Sequence, residues 1–258
     1  MKAKKSYGQH FLKSSGLANR IADSLVLNQT KNVLEVGPGK GILTKHLSQN
    51  ADINFKAVEA DQDMVSYLER HNILERDRII AQDFLKIRLS EVFDGQSFAL
   101  IGNYPYNISS QIIFTMLDHI DIIPEMVGMF QKEVADRIVA PPGSKTYGIV
   151  SVLVQGYYSG ATLFDVAPDE FIPPPQVMSS VIRLERLENH KVHCDEKLFK
   201  SIVKQSFAQR RKMLRNTLKS FIQNTPLLEK PIFNQRPEQL GVEEFVYITN
   251  EIIAQRQN

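Results

Sequence analysis

Val33-Leu34-Glu35-Val36-Gly37-Pro38-Gly39-Lys40-Gly41-Ile42-Leu43-Thr44 is an apolar run that stops at a glycine-rich turn and continues as an amphipathic stretch. Its first half predicts a strand and its second the start of a helix. Glycines at every second position let the backbone reverse tightly and come close to a ligand, because no Cβ intrudes. Twenty residues after Gly39, Phe55-Lys56-Ala57-Val58-Glu59 ends in a carboxylate. At that distance a second parallel strand aims an acid at a ribose, so Glu59 is the expected ribose ligand. The alternative for the loop is an ordinary strand-to-helix turn.

Two cofactor classes share this layout. Nicotinamide and flavin folds use G-x-G-x-x-G, whose third glycine allows close helix packing beside a pyrophosphate. Here the spacing is G-x-G-x-G, position 42 is Ile, and Glu35 precedes the first glycine by two. This arrangement resembles the S-adenosylmethionine loop of Rossmann-like methyltransferases. The resemblance implies that backbone groups around Gly37 and Gly39, with the Glu35 carboxylate, hold the amino-acid end of the cofactor.

A chain of 258 residues, 43% hydrophobic, can bury a full core and hold one large domain or one plus an appendage. A single cysteine, Cys194, excludes an internal disulfide, and with only His193 beside it there is no zinc spacing, so no metal is expected. A reducing, cytoplasmic setting is the expectation. No apolar run nears the roughly 18 to 20 residues that span a bilayer, and the N-terminus lacks an apolar signal region.

The formal net charge of +2 hides two clusters. Residues 1–20 carry Lys2, Lys4, Lys5, Lys13 and Arg20 without an acid, and residues 201–219 carry six Lys or Arg without an acid. Basic segments on an otherwise balanced chain point to a polyanion, most commonly nucleic acid. Solvated basic faces without a partner are the alternative.

Lys5-Ser6-Tyr7-Gly8-Gln9-His10-Phe11-Leu12 spends two aromatics ahead of a first helix expected over residues 14–25. The segment either folds over a cofactor and touches a nucleic-acid backbone, or is a basic tail pinned by Phe11 and Leu12. Strands are expected over 33–37, 54–58, 78–84, 98–102 and 125–131, with helices over 42–48, 63–71, 109–117 and 132–139. Asp83, just past the third strand, stands where ligands collect in open α/β sheets and can accept from an adenine amine. An Asp there also reads as a turn or cap residue.

The chemical centre is Asn103-Tyr104-Pro105-Tyr106-Asn107, at the end of the fourth strand. An adenine exocyclic amine is a poor nucleophile because its lone pair is delocalised into the ring. Two fixed acceptors, the Asn103 side-chain oxygen and the Tyr104 carbonyl, would bind both amine hydrogens and favour a pyramidal nitrogen. Pro105 stiffens that carbonyl, and Tyr106 can stack on the base. A turn with two packing tyrosines is the plain alternative.

On these residues the chain resembles the small-subunit ribosomal RNA adenine dimethyltransferase family. The likeness runs through Gly8-Gln9-His10-Phe11-Leu12, the Glu35 to Gly39 loop, Glu59, Asp83, Asn103-x-Pro105-Tyr106-Asn107, Phe171-Ile172-Pro173-Pro174-Pro175 and Gln209-Arg210-Arg211-Lys212. It implies dimethylation at N6 of two adjacent adenosines in the 3′-terminal hairpin of small-subunit rRNA, late in 30S biogenesis, with S-adenosylmethionine as cofactor. The cofactor contacts it implies are His10, Leu12, Gly37, Glu59, Asp83 and Asn103. Many members carry Asn at the position of His10 and Leu at that of Tyr104; the second change leaves a backbone carbonyl role intact. Phe171 is either the second face of a sandwich with Tyr106 around a flipped adenine, as the resemblance implies, or a buried loop anchor. The immature 30S particle and its rRNA are the implied partner, contacted by Lys4, Lys5, Arg210, Arg211, Lys212 and Arg215, with no membrane and no protein partner.

Further on, a β-rich run is expected over 149–158 and a last strand over 179–184, after which the pattern turns helical. An unbroken helix through residues 201–219 would put Arg210 on the apolar side, so either the helix breaks near Gln209 or Arg210 reaches across to the catalytic domain, and the break is the preferred expectation. The expected architecture is an α/β, Rossmann-like methyltransferase domain with helices on both faces of its sheet (1–187), followed by a small all-α rRNA-binding domain (188–258). Competing functions are a large-subunit rRNA adenine dimethyltransferase of the antibiotic-resistance type, against which the Gln209 to Lys212 segment read as helix argues, an rRNA-binding assembly factor with secondary methylation, and a DNA adenine methyltransferase.

Overall fold

The computed structural model describes residues 10–188, 192–222 and 225–257. It falls into two compact units, one drawn from 1–135 and 160–186, the other from 136–159 and 187–258. Residues 136–159, expected within the first domain, thus group with the C-terminal helices.

In chain order the first unit holds strand β1 (Phe11–Leu12), helix α1 (Ser15–Ala22), β2 (Asn32–Val36), α2 (Ile42–Gln49), β3 (Asn54–Val58), α3 (Gln62–Arg70), β4 (Ile79–Ile80), the short α4 (Leu89–Val92), β5 (Ala99–Asn103), α5 (Ser109–Asp118) and β6 (Glu125–Gln131). Helix α6 (Lys132–Val139) and α7 (Ile149–Gln155) follow, then β7 (Tyr158–Val166), β8 (Phe171–Ile172) and β9 (Ser179–Arg186). The seven-stranded sheet runs β4-β3-β2-β5-β6-β9-β7. From β4 to β6 every pairing is parallel, and β9 lies antiparallel to β6. All five residues of β2 are buried, as a strand covered on both faces requires.

The chain moves outward from β2 to β3 and β4 on one side, then returns to lay β5 and β6 on the other. Between β2 and β5 the order reverses, and the two following loops diverge to leave a crevice at the carboxyl ends of the strands. The Glu35 to Gly39 loop leaves β2 and the Asn103 to Tyr106 segment leaves β5, so both flank that crevice. A separate two-stranded ribbon pairs β1 with β8, Phe11 opposite Ile172 and Leu12 opposite Phe171.

The helical unit contains α8 (Glu196–Ala208), α9 (Leu214–Thr217), α10 (Thr225–Leu228) and α11 (Val242–Gln257). Residues 149–155, expected to be β, are helical: α7 packs on α8 and α11, and its Ser151 to Val154 are buried. That burial outweighs the strand preference of a Val-rich run. The expected strand at 78–84 shortens to Ile79–Ile80, because Gln82 and Leu85 donate backwards into turns at Ile80 and Asp83. Strand β7, with most of its residues exposed or half-exposed, was not expected from the sequence.

Helix α8 ends at Ala208 with Gln209 outside helical geometry (φ −132, ψ 59), which places the break where the charge pattern predicts it. Gln209 to Lys212 is therefore a turn, closed by the Lys212 N–H donating to the Gln209 carbonyl at 2.8 Å. The helix used against the large-subunit reading is not there. Among the described residues no helix is long and apolar enough to cross a membrane.

Candidate active site

A cleft of about 280 Å³ opens between the two loops. It is lined by His10, Leu12, Glu35, Gly37, Gly39, Glu59, Asp83, Asn103, Tyr104, Pro105 and Tyr106. Residues from four strand ends and the N-terminal ribbon thus meet in one place.

Gly39 adopts φ +55, a conformation that favours glycine, and a Cβ there would press on the Phe11 ring at 3.0 Å. Its N–H donates to Glu59 Oε2 at 3.1 Å, while the Asp61 N–H donates to Oε1 at 2.9 Å. The Glu59 carboxylate therefore ties the glycine loop to the end of β3. Burial pushes its pKa up, and the backbone donors oppose that shift.

Glu35 is 1% exposed and accepts from Thr44 Oγ1 at 2.8 Å. Burial pushes its pKa up from 4.5 to about 8; the Thr44 bond lowers it and the nearby Glu59 charge raises it. Thr44 carried no signal in the sequence, since a helix hydroxyl one turn past a glycine loop reads as filler.

Asn103 Nδ2 donates to the His10 carbonyl at 2.8 Å. The Tyr104 side chain turns away from the cleft: 1% exposed, its hydroxyl donates to the Val127 carbonyl at 3.3 Å. The space for that ring is made by Gly128, where a Cβ would stand 1.9 Å from a ring carbon. Tyr106 lies against the His10 imidazole, centroids 5.3 Å apart and planes at 28°, and its hydroxyl is 2.5 Å from Ser179 Oγ. His10 Nδ1 donates to the Pro173 carbonyl at 2.8 Å, which sets the tautomer because a carbonyl only accepts.

Asp83 takes the turn geometry at a position on the cleft wall. Its Oδ1 accepts from the Leu85 N–H at 3.0 Å in a turn, and the residue also lines the cleft.

Phe171 is not brought to the cleft. It is 0% exposed and belongs to the core with Leu12, Val166 and Val181. The pleat of β8 sends Phe171 inward and its neighbour Ile172 outward, 55% exposed. In the structure it is the buried loop anchor and not a stacking face.

Of the expected RNA contacts, Lys4 and Lys5 lie outside the described residues. Arg211, Lys212 and Arg215 are exposed. Arg210 is half-buried, with Nη2 donating to the Ser144 carbonyl at 3.1 Å within the helical unit, so its guanidinium is a strut there.

The family model described as ribosomal RNA adenine dimethylase matches residues 1–255. The ribosomal RNA small subunit methyltransferase A of Phocaeicola vulgatus is 51% identical over 259 residues, covering 100% of this chain and 92% of that protein. Its namesake from Bacteroides thetaiotaomicron is 53% identical over 253 residues, covering 98% and 94%. Among solved structures, a dimethyladenosine transferase from Plasmodium falciparum superposes with a TM-score of 0.81 at 22% identity, covering 96% of this chain and 98% of that one. The 23S rRNA methyltransferase ErmE does so with a TM-score of 0.67 at 22% identity, covering 93% and 99%. At such identities the two structures speak for the fold alone.

Proposed function

The chain belongs to the ribosomal RNA adenine dimethylase family, and from that premise we propose that it dimethylates N6 of two adjacent adenosines in the 3′-terminal hairpin of small-subunit rRNA. The substrate is the immature 30S particle in the cytoplasm, late in assembly, and the methyl donor is S-adenosylmethionine. The choice of subunit rests on the relatives of 51% and 53% identity, both small-subunit methyltransferases by name, and no longer on the turn at Gln209 to Lys212.

The residues present fit that cofactor. The cleft holds two buried carboxyl groups, Glu35 and Glu59, suited to a cationic ligand with ribose hydroxyls, and a glycine loop whose Gly39 takes a left-handed conformation close against the Phe11 ring. Glu35 and the Gly37 to Gly39 backbone would hold its amino-acid end, Glu59 its ribose and Asp83 its adenine amine. His10 and Leu12 close over it from the N-terminal ribbon. When bound, the cofactor supplies an electrophilic methyl group.

One observation carries the reading: Asn103 Nδ2 donates one hydrogen bond to the His10 carbonyl, which fixes the orientation of the amide. Its oxygen would then serve as an acceptor for the target amine, together with the carbonyl of Tyr104, whose ring is anchored in the sheet. Together they orient an incoming amine and raise its nucleophilicity, and no strong base is needed. Tyr106 offers the base a stacking surface. The sheet unit would carry this chemistry, and the exposed cations of the helical unit would carry rRNA binding.

The test is mass analysis of nucleosides in small-subunit rRNA from cells lacking the protein, complemented with the wild type or with Asn103→Ala. Loss of N6,N6-dimethyladenosine, restored by the wild type alone, is expected. Undiminished modification in the deleted strain would overturn the proposal.

A further inference from the structure

Glu35 and Glu59 face one cleft and differ in how they are held. Glu59 accepts two backbone N–H bonds, which stabilise a charged carboxylate. Glu35 is sealed at the end of β2 with the Thr44 hydroxyl from α2 as its side-chain donor. The titratable groups that bear on it are Glu59 from the end of β3 and the Tyr104 phenol from the end of β5, neither a cation. Lys40, in the same loop, sits over the Phe11 ring, 4.8 Å from its centroid, and His10, Asp83 and the Tyr106 phenol complete the ionisable lining of the cleft. Among the described residues no basic side chain forms an ion pair with Glu35.

We propose that Glu35 is a neutral acid in the ligand-free protein and gives its proton to solvent when S-adenosylmethionine binds, so that cofactor binding releases one proton. The inference rests on the cofactor reading above. A carboxyl group buried without a counter-ion favours its neutral form, and a cation arriving within a few ångströms reverses that preference. S-adenosylmethionine carries an α-ammonium and a sulfonium against a single α-carboxylate, so it arrives with a net charge of +1. The carboxyl O–H bond breaks, its electron pair stays on the carboxylate and the proton passes to buffer. The burial that raises the Glu35 pKa to about 8 supports the same assignment. Linkage then requires cofactor affinity to rise roughly tenfold between pH 6 and pH 7.

The experiment is calorimetric titration of S-adenosylmethionine into the full chain at pH 6.5, where an α-ammonium is still charged, in PIPES and in imidazole, buffers of low and high ionisation enthalpy. The difference in heat should correspond to about one proton released per ligand bound. Glu35→Gln should bind with no buffer dependence. Glu59→Gln should bind more weakly and still release the proton, which gives a second measurement should the Glu35→Gln protein fold poorly. Identical heats in both buffers while the cofactor binds would overturn the proposal and leave the cofactor reading intact, as would undiminished release from Glu35→Gln. Failure of the wild type to bind S-adenosylmethionine at any pH would remove both.

Discussion

The Asn103 side chain donates to the backbone carbonyl of His10, 2.8 Å away and 93 residues earlier in the chain. A carbonyl cannot donate, so this bond decides which way the Asn103 amide faces. It couples the N-terminal ribbon to the residue that would orient the target amine. Asn103→Ala should lower methyl transfer by about 10² to 10³, the loss typical of one oriented polar group. Asn103→Asp should do worse: two acceptors then oppose each other at His10, and cofactor affinity should fall as well. Single-turnover methylation beside calorimetric cofactor binding separates the two effects.

Tyr106 combines a ring at the cleft with a hydroxyl bonded to Ser179, which is 0% exposed. Tyr106→Phe keeps the ring but strands a buried hydroxyl, so thermal unfolding should show a loss of about 1 to 3 kcal/mol. Turnover should stay within about tenfold of the wild type, since stacking needs no hydroxyl. Adding Ser179→Ala removes the stranded group and should restore much of the stability. Tyr106→Ala should lose the stacking itself, worth about 1 to 3 kcal/mol per base, seen as a raised KM for the particle. A Phe variant as inactive as the Ala variant would mean that the hydroxyl has a role beyond anchoring the ring.

How far the sequence reveals this molecule depends on whether a residue's duty is local. The strand, glycine turn and helix from Val33 to Thr44 are legible because a strand buried on both faces must be a continuous apolar run, and the turn needs glycine. The position of Asn103 and Tyr106 at the cleft is legible because they end or directly follow an expected strand, where the crevice of such a sheet opens. Residues 149–155 mislead because a Val-rich segment carries a strand preference, and only packing on α8 and α11 makes it a helix. Phe171 misleads for a related reason. Its motif is compatible with either role, and the direction of its side chain follows from pairing with Leu12, 159 residues away in sequence. Thr44, Ser179 and Gly128 leave no mark of their own, because each matters only through a partner brought close by folding.

Gly128 lies in the middle of β6, where a glycine ordinarily weakens a strand. Its compensation is the Tyr104 ring, which fills the space of a Cβ at 1.9 Å. Gly128→Ala should therefore be destabilised by about 1 to 3 kcal/mol or more, as overpacked cores are. It should also lose methyl transfer in the fraction that remains folded, because a displaced ring moves the Tyr104 carbonyl. Chemical denaturation and activity measured on the same preparation test both.

Glu35 also predicts how stability varies with pH in the absence of ligand. Its folded pKa is raised from 4.5 to about 8, so the folded state binds more protons than the unfolded state across that interval. The contribution is fully present below about pH 4.5 and is lost as pH rises through about 8. Glu59 and Glu125, both shifted upward by burial, act in the same direction. Melting temperatures of the ligand-free protein should fall over this window more steeply for the wild type than for Glu35→Gln. Parallel profiles would mean that Glu35 is ionised in the free protein.

The basic residues after α8 divide by structure into two kinds, and the division is testable. Arg211, Lys212 and Arg215 are exposed, free to meet a phosphate backbone, whereas Arg210 spends its guanidinium on the Ser144 carbonyl. Neutralising the three exposed cations should weaken binding to small-subunit particles and flatten its dependence on salt, by roughly 0.7 to 0.9 in the logarithmic slope for each phosphate no longer engaged. Cofactor affinity and melting temperature should be unchanged. Arg210→Ala should do the reverse: a half-buried charged donor is removed from a carbonyl, a bond worth about 1.5 to 3 kcal/mol, so melting should drop while the salt slope stays near the wild-type value. Equal salt slopes for the triple variant and the wild type would move the rRNA interface away from this turn, and the basic N-terminal segment would be the next place to look. Particle binding that survives in Asn103→Ala but not in the triple variant would show that recognition and chemistry lie in separate parts of the chain.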